Sequence, residues 1–217
     1  CYEAAGMLGP AVKMRRTIVQ RFKNSKHRAL SMYYLAGNFH NLAFFKQAAT
    51  WYEMFFDKYS KRKEAPESLM WGIVLRGGLG EERKMMKNAA AFIKRYQRRG
   101  GKYKKLSAKS FWLVVKMYEN QGDEDKVLIN LSRYARGYGA VGEVDKYIES
   151  LAKLGDIWWR RSCKVAQTHG QCIRIRYYRR KGKKKKQKKI IYLERDGRSV
   201  RTAKRYFSRA LRVWAKG

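Results

Sequence analysis

A fixed spacing recurs four times along this chain: a turn residue, a small or slim apolar residue five positions later, and an aromatic eleven positions after that. The four instances are Gly6, Ala11 and Phe22; Ala43, Ala48 and Tyr59; Gly80, Met85 and Tyr96; and Gly122, Val127 and Tyr138. Their middle members step by 37, 37 and 42 residues. A period in this range marks a solenoid of stacked supersecondary units, each touching only its neighbours. Solenoids hold other molecules more often than they transform them, so the period points towards binding.

Each period reads as two helices. Another alanine lies fourteen or fifteen positions ahead of three of the turn residues: Ala29 before Ala43, Ala65 before Gly80 and Ala108 before Gly122. The stretch between is apolar at helical spacing, as in Leu69, Ile73 and Leu75, or Phe111, Val114, Val115 and Tyr118. After the turn, Ala48, Trp51, Tyr52, Phe55, Phe56 and Tyr59 repeat it. Small turn and middle residues let two antiparallel helices approach closely, and the closing aromatic would then cover the next repeat. Residues 60–66 and 97–107 read as polar loops carrying Pro66, Gly100 and Gly101. Pro66 stands where a helix can begin.

With those residues in view, the pattern resembles the tetratricopeptide repeat. Tyr2-Glu3-Ala4-Ala5-Gly6, Glu82-Arg83-Lys84-Met85-Met86 and Glu119-Asn120-Gln121-Gly122-Asp123 fit its helix–turn–helix unit. The closing proline of that family is missing: Lys23, Ser60 and Gln97 follow the aromatics. The tail, Trp158-Trp159-Arg160-Arg161-Ser162-Cys163 with Gly170-Gln171-Cys172-Ile173, is similar to large envelope-associated repeat proteins of myxobacteria and relatives, of the gliding-motility and Tol–Pal type. Those carry Arg-Ser-Cys-Pro where this chain has Arg-Ser-Cys-Lys. The resemblance implies a non-enzymatic scaffold in a cell-envelope or periplasmic assembly, binding a protein partner on the repeat surface.

The expected architecture is all-α: a right-handed helical-hairpin solenoid with a small β-hairpin insertion near the C-terminus. Repeats fill residues 1–160, in units of about 1–28, 29–60, 66–98 and 107–138, followed by a leading helix over 142–160. A cysteine-bracketed basic hairpin spans 161–193, with strands over 173–178 and 190–193. An amphipathic helix, 194–217, follows, with Val200, Ala203, Phe207, Ala210, Leu211 and Trp214 on one face. No run of 18 apolar residues predicts a transmembrane helix. The opening residues read as the end of a helix whose start is absent, as in a fragment of a longer chain.

Cys163 and Cys172 are nine apart. They read as a small disulfide loop in an oxidising compartment, with free thiols or a metal site completed by His169 as alternatives. His27 and His40 stand alone and read as surface or turn residues. The net charge of +35 is uneven, for residues 158–217 carry 22 basic and 2 acidic side chains. Arg174, Arg176, Arg179, Arg180, Lys181, Lys183, Lys184, Lys185, Lys186, Lys188 and Lys189 form a candidate polyanion site on a lysine loop. Nucleic acid or anionic lipid would suit it. Hence an alternative reading is a basic helical-repeat protein, cytoplasmic in that case, binding RNA or DNA through its C-terminal region. Catalysis is not expected, nor a cofactor. Gly77, Gly78 and Gly80 lack the Lys-Ser/Thr of a phosphate loop, and the carboxylates at 81–82 and 123–125 stand at helix starts, where the helix dipole favours them.

Overall fold

A computed structural model of the chain describes residues 2–139, 141–165, 171–178 and 187–216. The described residues are all-α apart from one antiparallel β-hairpin near the C-terminus. Two compact units divide the chain, residues 1–122 and 123–217. The division falls inside the expected fourth hairpin (107–138), and no boundary falls at 160.

The first unit holds α1 (Leu8–Arg21), α2 (Arg28–Asn41), α3 (Phe45–Tyr59), α4 (Ala65–Gly78), α5 (Glu82–Tyr96) and α6 (Gly101–Asn120). Consecutive helices pack on one another throughout, and α4 also meets α6. The turn residues explain the recurring spacing. Gly6, Ala43, Gly80 and Gly122 all adopt positive φ, between 60° and 71°. At the first three, the next residue's N–H reaches back to the carbonyl five positions earlier: Met7 to Tyr2, Phe44 to Phe39 and Glu81 to Arg76. This is the Schellman closure, and a left-handed residue is its requirement.

All four middle residues, Ala11, Ala48, Met85 and Val127, are buried. Met85 is not small, and the opposing helix yields instead: a Cβ on Gly77 would stand 3.2 Å from the Met85 sulfur. Of the closing aromatics, Tyr96 and Tyr138 are buried and Tyr59 is half-buried, its ring 5.5 Å from Phe55. Phe22 departs from the expectation. It is 56% exposed, because α1 ends at Arg21 and the chain leaves the helix at Phe22 itself.

Residues 97–107 are not the loop that their polarity suggested. Gly100 and Gly101 take positive φ, and α6 starts there, six residues ahead of expectation. Tyr103 anchors that early turn by stacking on Tyr96, with centroids 5.5 Å apart and planes 10° from parallel. Pro66 occupies the first turn of α4, where its missing N–H costs nothing.

The second unit holds α7 (Glu124–Gly137), α8 (Val144–Arg161), β1 (Ile173–Tyr178), β2 (Gln187–Tyr192) and α9 (Gly197–Trp214). Asp123 and Asp196 cap α7 and α9 by accepting from the Lys126 and Ser199 backbone N–H groups. Leu131, Tyr134, Leu151, Leu154, Ile157 and Ala203 are buried between α7, α8 and α9. Gly155 makes the α8–α9 contact close, since a Cβ there would meet the Phe207 ring at 2.6 Å. Leu211 and Trp214 do not join that buried face; both are exposed. Strand β2 begins three residues earlier than expected, at Gln187, and pairs with β1 so that Arg176 faces Lys189 and Ile175 faces Ile190. Among the described residues no helix is long and apolar enough to cross a membrane.

Candidate functional site

Helices α4 and α6 meet, with a groove between them. Its first part has a volume of about 380 Å³ and is lined by Pro66, Met70, Trp71 and Val74 of α4 and Tyr103 and Leu106 of α6. Lys63, Lys102 and Lys109 stand around it, with Glu67. The second part, about 320 Å³, continues past Val74 to Gly77, Gly78, Leu113 and Met117. The helical repeat itself puts these side chains there: positions 66, 70 and 74 are successive turns of one face, as are 102, 106 and 109.

The groove wall is held from behind. The Trp71 ring meets the edge of His40 at 4.7 Å, and His40 in turn packs against Tyr52 at 6.4 Å. His40 is therefore half-buried in an aromatic cluster rather than a free surface histidine. Burial, and after it the negative charge of Glu67, pushes the Tyr52 hydroxyl up to about 12 and raises that of Tyr33 as well. Both phenols thus stay neutral and leave Glu67 as the acid of this wall. None of Lys63, Lys102 or Lys109 has a carboxylate partner among the described residues, and the ammonium of Lys102 lies 5.4 Å from the Tyr103 ring centre. An apolar floor with unpaired cations on its rim can hold apolar side chains flanked by acidic ones.

A second groove, about 690 Å³, lies within the second unit. Leu128, Ile129, Ser132, Arg133 and Arg136 of α7, Trp158 of α8, and Arg198, Thr202, Arg205 and Tyr206 of α9 line it. Its four arginines make no ion pair among the described residues.

The residues expected to form one polyanion site are not all together. Arg174, Arg176 and Lys189 share one face of the hairpin and Lys188 takes the other. All four are exposed. Arg179, Arg180, Lys181, Lys183, Lys184, Lys185 and Lys186 lie outside the described residues, as does His169. Cys163 and Cys172 are joined in a disulfide with Cα atoms 5.5 Å apart. Among the described residues no group of three or more His, Cys, Asp or Glu could hold a metal ion. The carboxylates at helix starts form ion pairs: Glu81 with Arg76 and Lys84, Glu124 with Arg160 and Arg161, and Asp125 with Arg161.

Sequence reasoning missed both grooves. Their cations come from positions up to 72 residues apart, and only the helical spacing of pairs such as Arg133 with Arg136, or Arg198 with Arg205, hinted at shared faces. The chain matches no protein-family model and no curated protein.

Proposed function

We propose that this protein is a non-enzymatic scaffold of tetratricopeptide-like repeats, and that the α4–α6 groove receives an acidic, apolar-anchored segment of a protein partner. The supporting observation is the groove itself: Met70, Trp71, Tyr103 and Leu106 offer an apolar floor, and Lys63, Lys102 and Lys109 surround it with no carboxylate partner among the described residues. Concave apolar sites with a few convergent charges are where peptides and ligands dock. The Cys163–Cys172 disulfide supports residence in an oxidising compartment, as in a cell envelope or periplasm.

Panning the full chain against a random peptide library tests this reading. Selected peptides should combine Asp or Glu with Leu, Phe or Trp, and Lys102→Glu with Lys109→Glu should weaken them at least about tenfold, the effect of losing roughly 1.4 kcal/mol. Selection of basic peptides, or unchanged binding by the double variant, would contradict it.

A second reading, binding of RNA or DNA, is favoured by the arginine groove of the second unit, where Trp158 and Tyr206 could stack bases between four cations. Tight oligonucleotide binding that Arg133→Ser with Arg205→Ser abolishes would support it over the scaffold.

A further inference from the structure

We propose that the β1–β2 hairpin docks on the surface of an anionic lipid bilayer, laying one face at the boundary between headgroups and acyl chains. The register builds that face as three cross-strand rows: Ile173 with Tyr192, Ile175 with Ile190, and Tyr177 with Lys188. Ile173 is buried, while Tyr177 is 65%, Ile190 46% and Tyr192 74% exposed. An isolated two-stranded hairpin is marginal in water, and this one leaves most of its apolar face uncovered. Its reverse face sets Arg176 directly opposite Lys189 and adds Arg174, beside Ile191, Tyr178 and Gln187, and the Arg176–Lys189 pair repels itself unless an anion neutralises it.

Charge complementarity selects the occupant. Residues 158–217 carry 22 basic and 2 acidic side chains, and juxtamembrane clusters of this kind gain from every nearby anionic headgroup. The ribbon is only one strand spacing wide, about 5 Å. Arg174, Arg176 and Lys189 can therefore reach round its edges on their apolar stems to the same headgroups. Tyrosines flanking aliphatic side chains are the residues that settle at a bilayer interface. The middle row decides against a nucleic acid: Ile175 and Ile190 occupy the place where a base-stacking platform needs rings. The Cys163–Cys172 disulfide and the bond from the Leu193 N–H to the Cys172 carbonyl fasten the base of the hairpin, so its face is presented by a fixed root.

Co-sedimentation of the full chain with vesicles of phosphatidylcholine, with or without about one third phosphatidylglycerol, tests this. The wild-type chain should bind the anionic vesicles and not the neutral ones. Tyr177→Ser with Ile190→Ser and Tyr192→Ser keeps every charge and should weaken binding at least about tenfold. Tyr177→Phe with Ile190→Leu and Tyr192→Phe should bind like wild type. Circular dichroism and thiol titration check that the fold and disulfide persist. If the triple serine variant loses either, Tyr192→Ser alone carries the test with a loss of about threefold. Unchanged binding by an intact serine variant would reduce the contact to lysine adsorption and overturn the proposal. So would a wild-type chain that ignores anionic vesicles, or one that prefers a single-stranded oligonucleotide and needs the same tyrosines to hold it.

Discussion

Arg76 on α4 donates two parallel hydrogen bonds to the Glu53 carboxylate on α3, Nε to Oε1 at 2.8 Å and Nη2 to Oε2 at 2.7 Å. The guanidinium is 2% exposed, reaches Thr50 and Glu81 as well, and its Glu53 partner also accepts from Asn88 at 2.6 Å. The bonds that Arg76 donates, led by those to Glu53, raise the arginine's affinity for its proton against the cost of burial. The network links α3, α4 and α5, and so fixes the back of the helix that forms one groove wall.

Glu53→Ala should therefore destabilise the chain by about 1–3 kcal/mol in urea unfolding, because it takes two hydrogen bonds from a buried charge that keeps only Glu81 and Thr50. Arg76→Met, which removes the charge and fills the space, should cost clearly less. Equal costs for the two variants would show that the ion pair holds nothing that packing does not.

Ala43 occupies a left-handed turn position that glycine takes at Gly6, Gly80 and Gly122. A Cβ in that region costs roughly 1 kcal/mol or more. Ala43→Gly should accordingly stabilise the chain, by about 0.5–1 kcal/mol once glycine's larger unfolded-state entropy is counted. Gly80→Ala should destabilise it by about 1 kcal/mol, although nothing lies within 4 Å of its added Cβ. Thermal unfolding of the two variants reads the opposite signs directly.

Much of the fold was legible because these turns impose a rule on residue type. Glycine is the residue that tolerates positive φ, so Gly6, Gly80 and Gly122 marked three turns, Ala43 was placed by the repeat spacing alone, and Ala48 or Leu69 followed from helical spacing. The start of α6 was not legible. Two glycines and a run of lysines read as a loop, and it was the stacking of Tyr103 on Tyr96, a tertiary contact, that turned them into helix. Phe22 shares the spacing of Tyr96 but not its burial, since spacing does not report where a helix ends. The grooves were hidden for a related reason: Lys63 and Lys109 become neighbours only once α4 and α6 lie together.

The Arg15 guanidinium beside Glu3, at 2.7 and 3.0 Å, holds that carboxyl below its ordinary value despite partial burial, and Asn38 adds a donor at 2.8 Å. A depressed folded-state value means that this pair stabilises the fold above the ordinary carboxylate value of 4.5. The contribution disappears as pH falls through the lowered one. Glu3→Gln should thus lower Tm at pH 7, by the equivalent of roughly 1 kcal/mol or less for a pair only partly buried, and the difference should shrink as pH falls below 4.5 and through the lowered value. A constant offset at every pH would contradict the linkage.

In the second unit, Gly155→Ala should separate α8 from α9, since the new Cβ would collide with the Phe207 ring. An overpacked contact of this kind costs about 1–3 kcal/mol. Phe207→Leu in the same chain should recover part of the loss, and the double-mutant coupling measured by urea unfolding checks it.

The central claim is that the α4–α6 groove is where a partner segment sits. Hydrogen–deuterium exchange of the full chain, with and without an acidic peptide selected by panning, tests it most directly. The account predicts slowed exchange in residues 65–78 and 101–120 and little change in α3 and the β-hairpin. Protection confined to residues 123–217, with α4 and α6 exchanging as in the free chain, would contradict it.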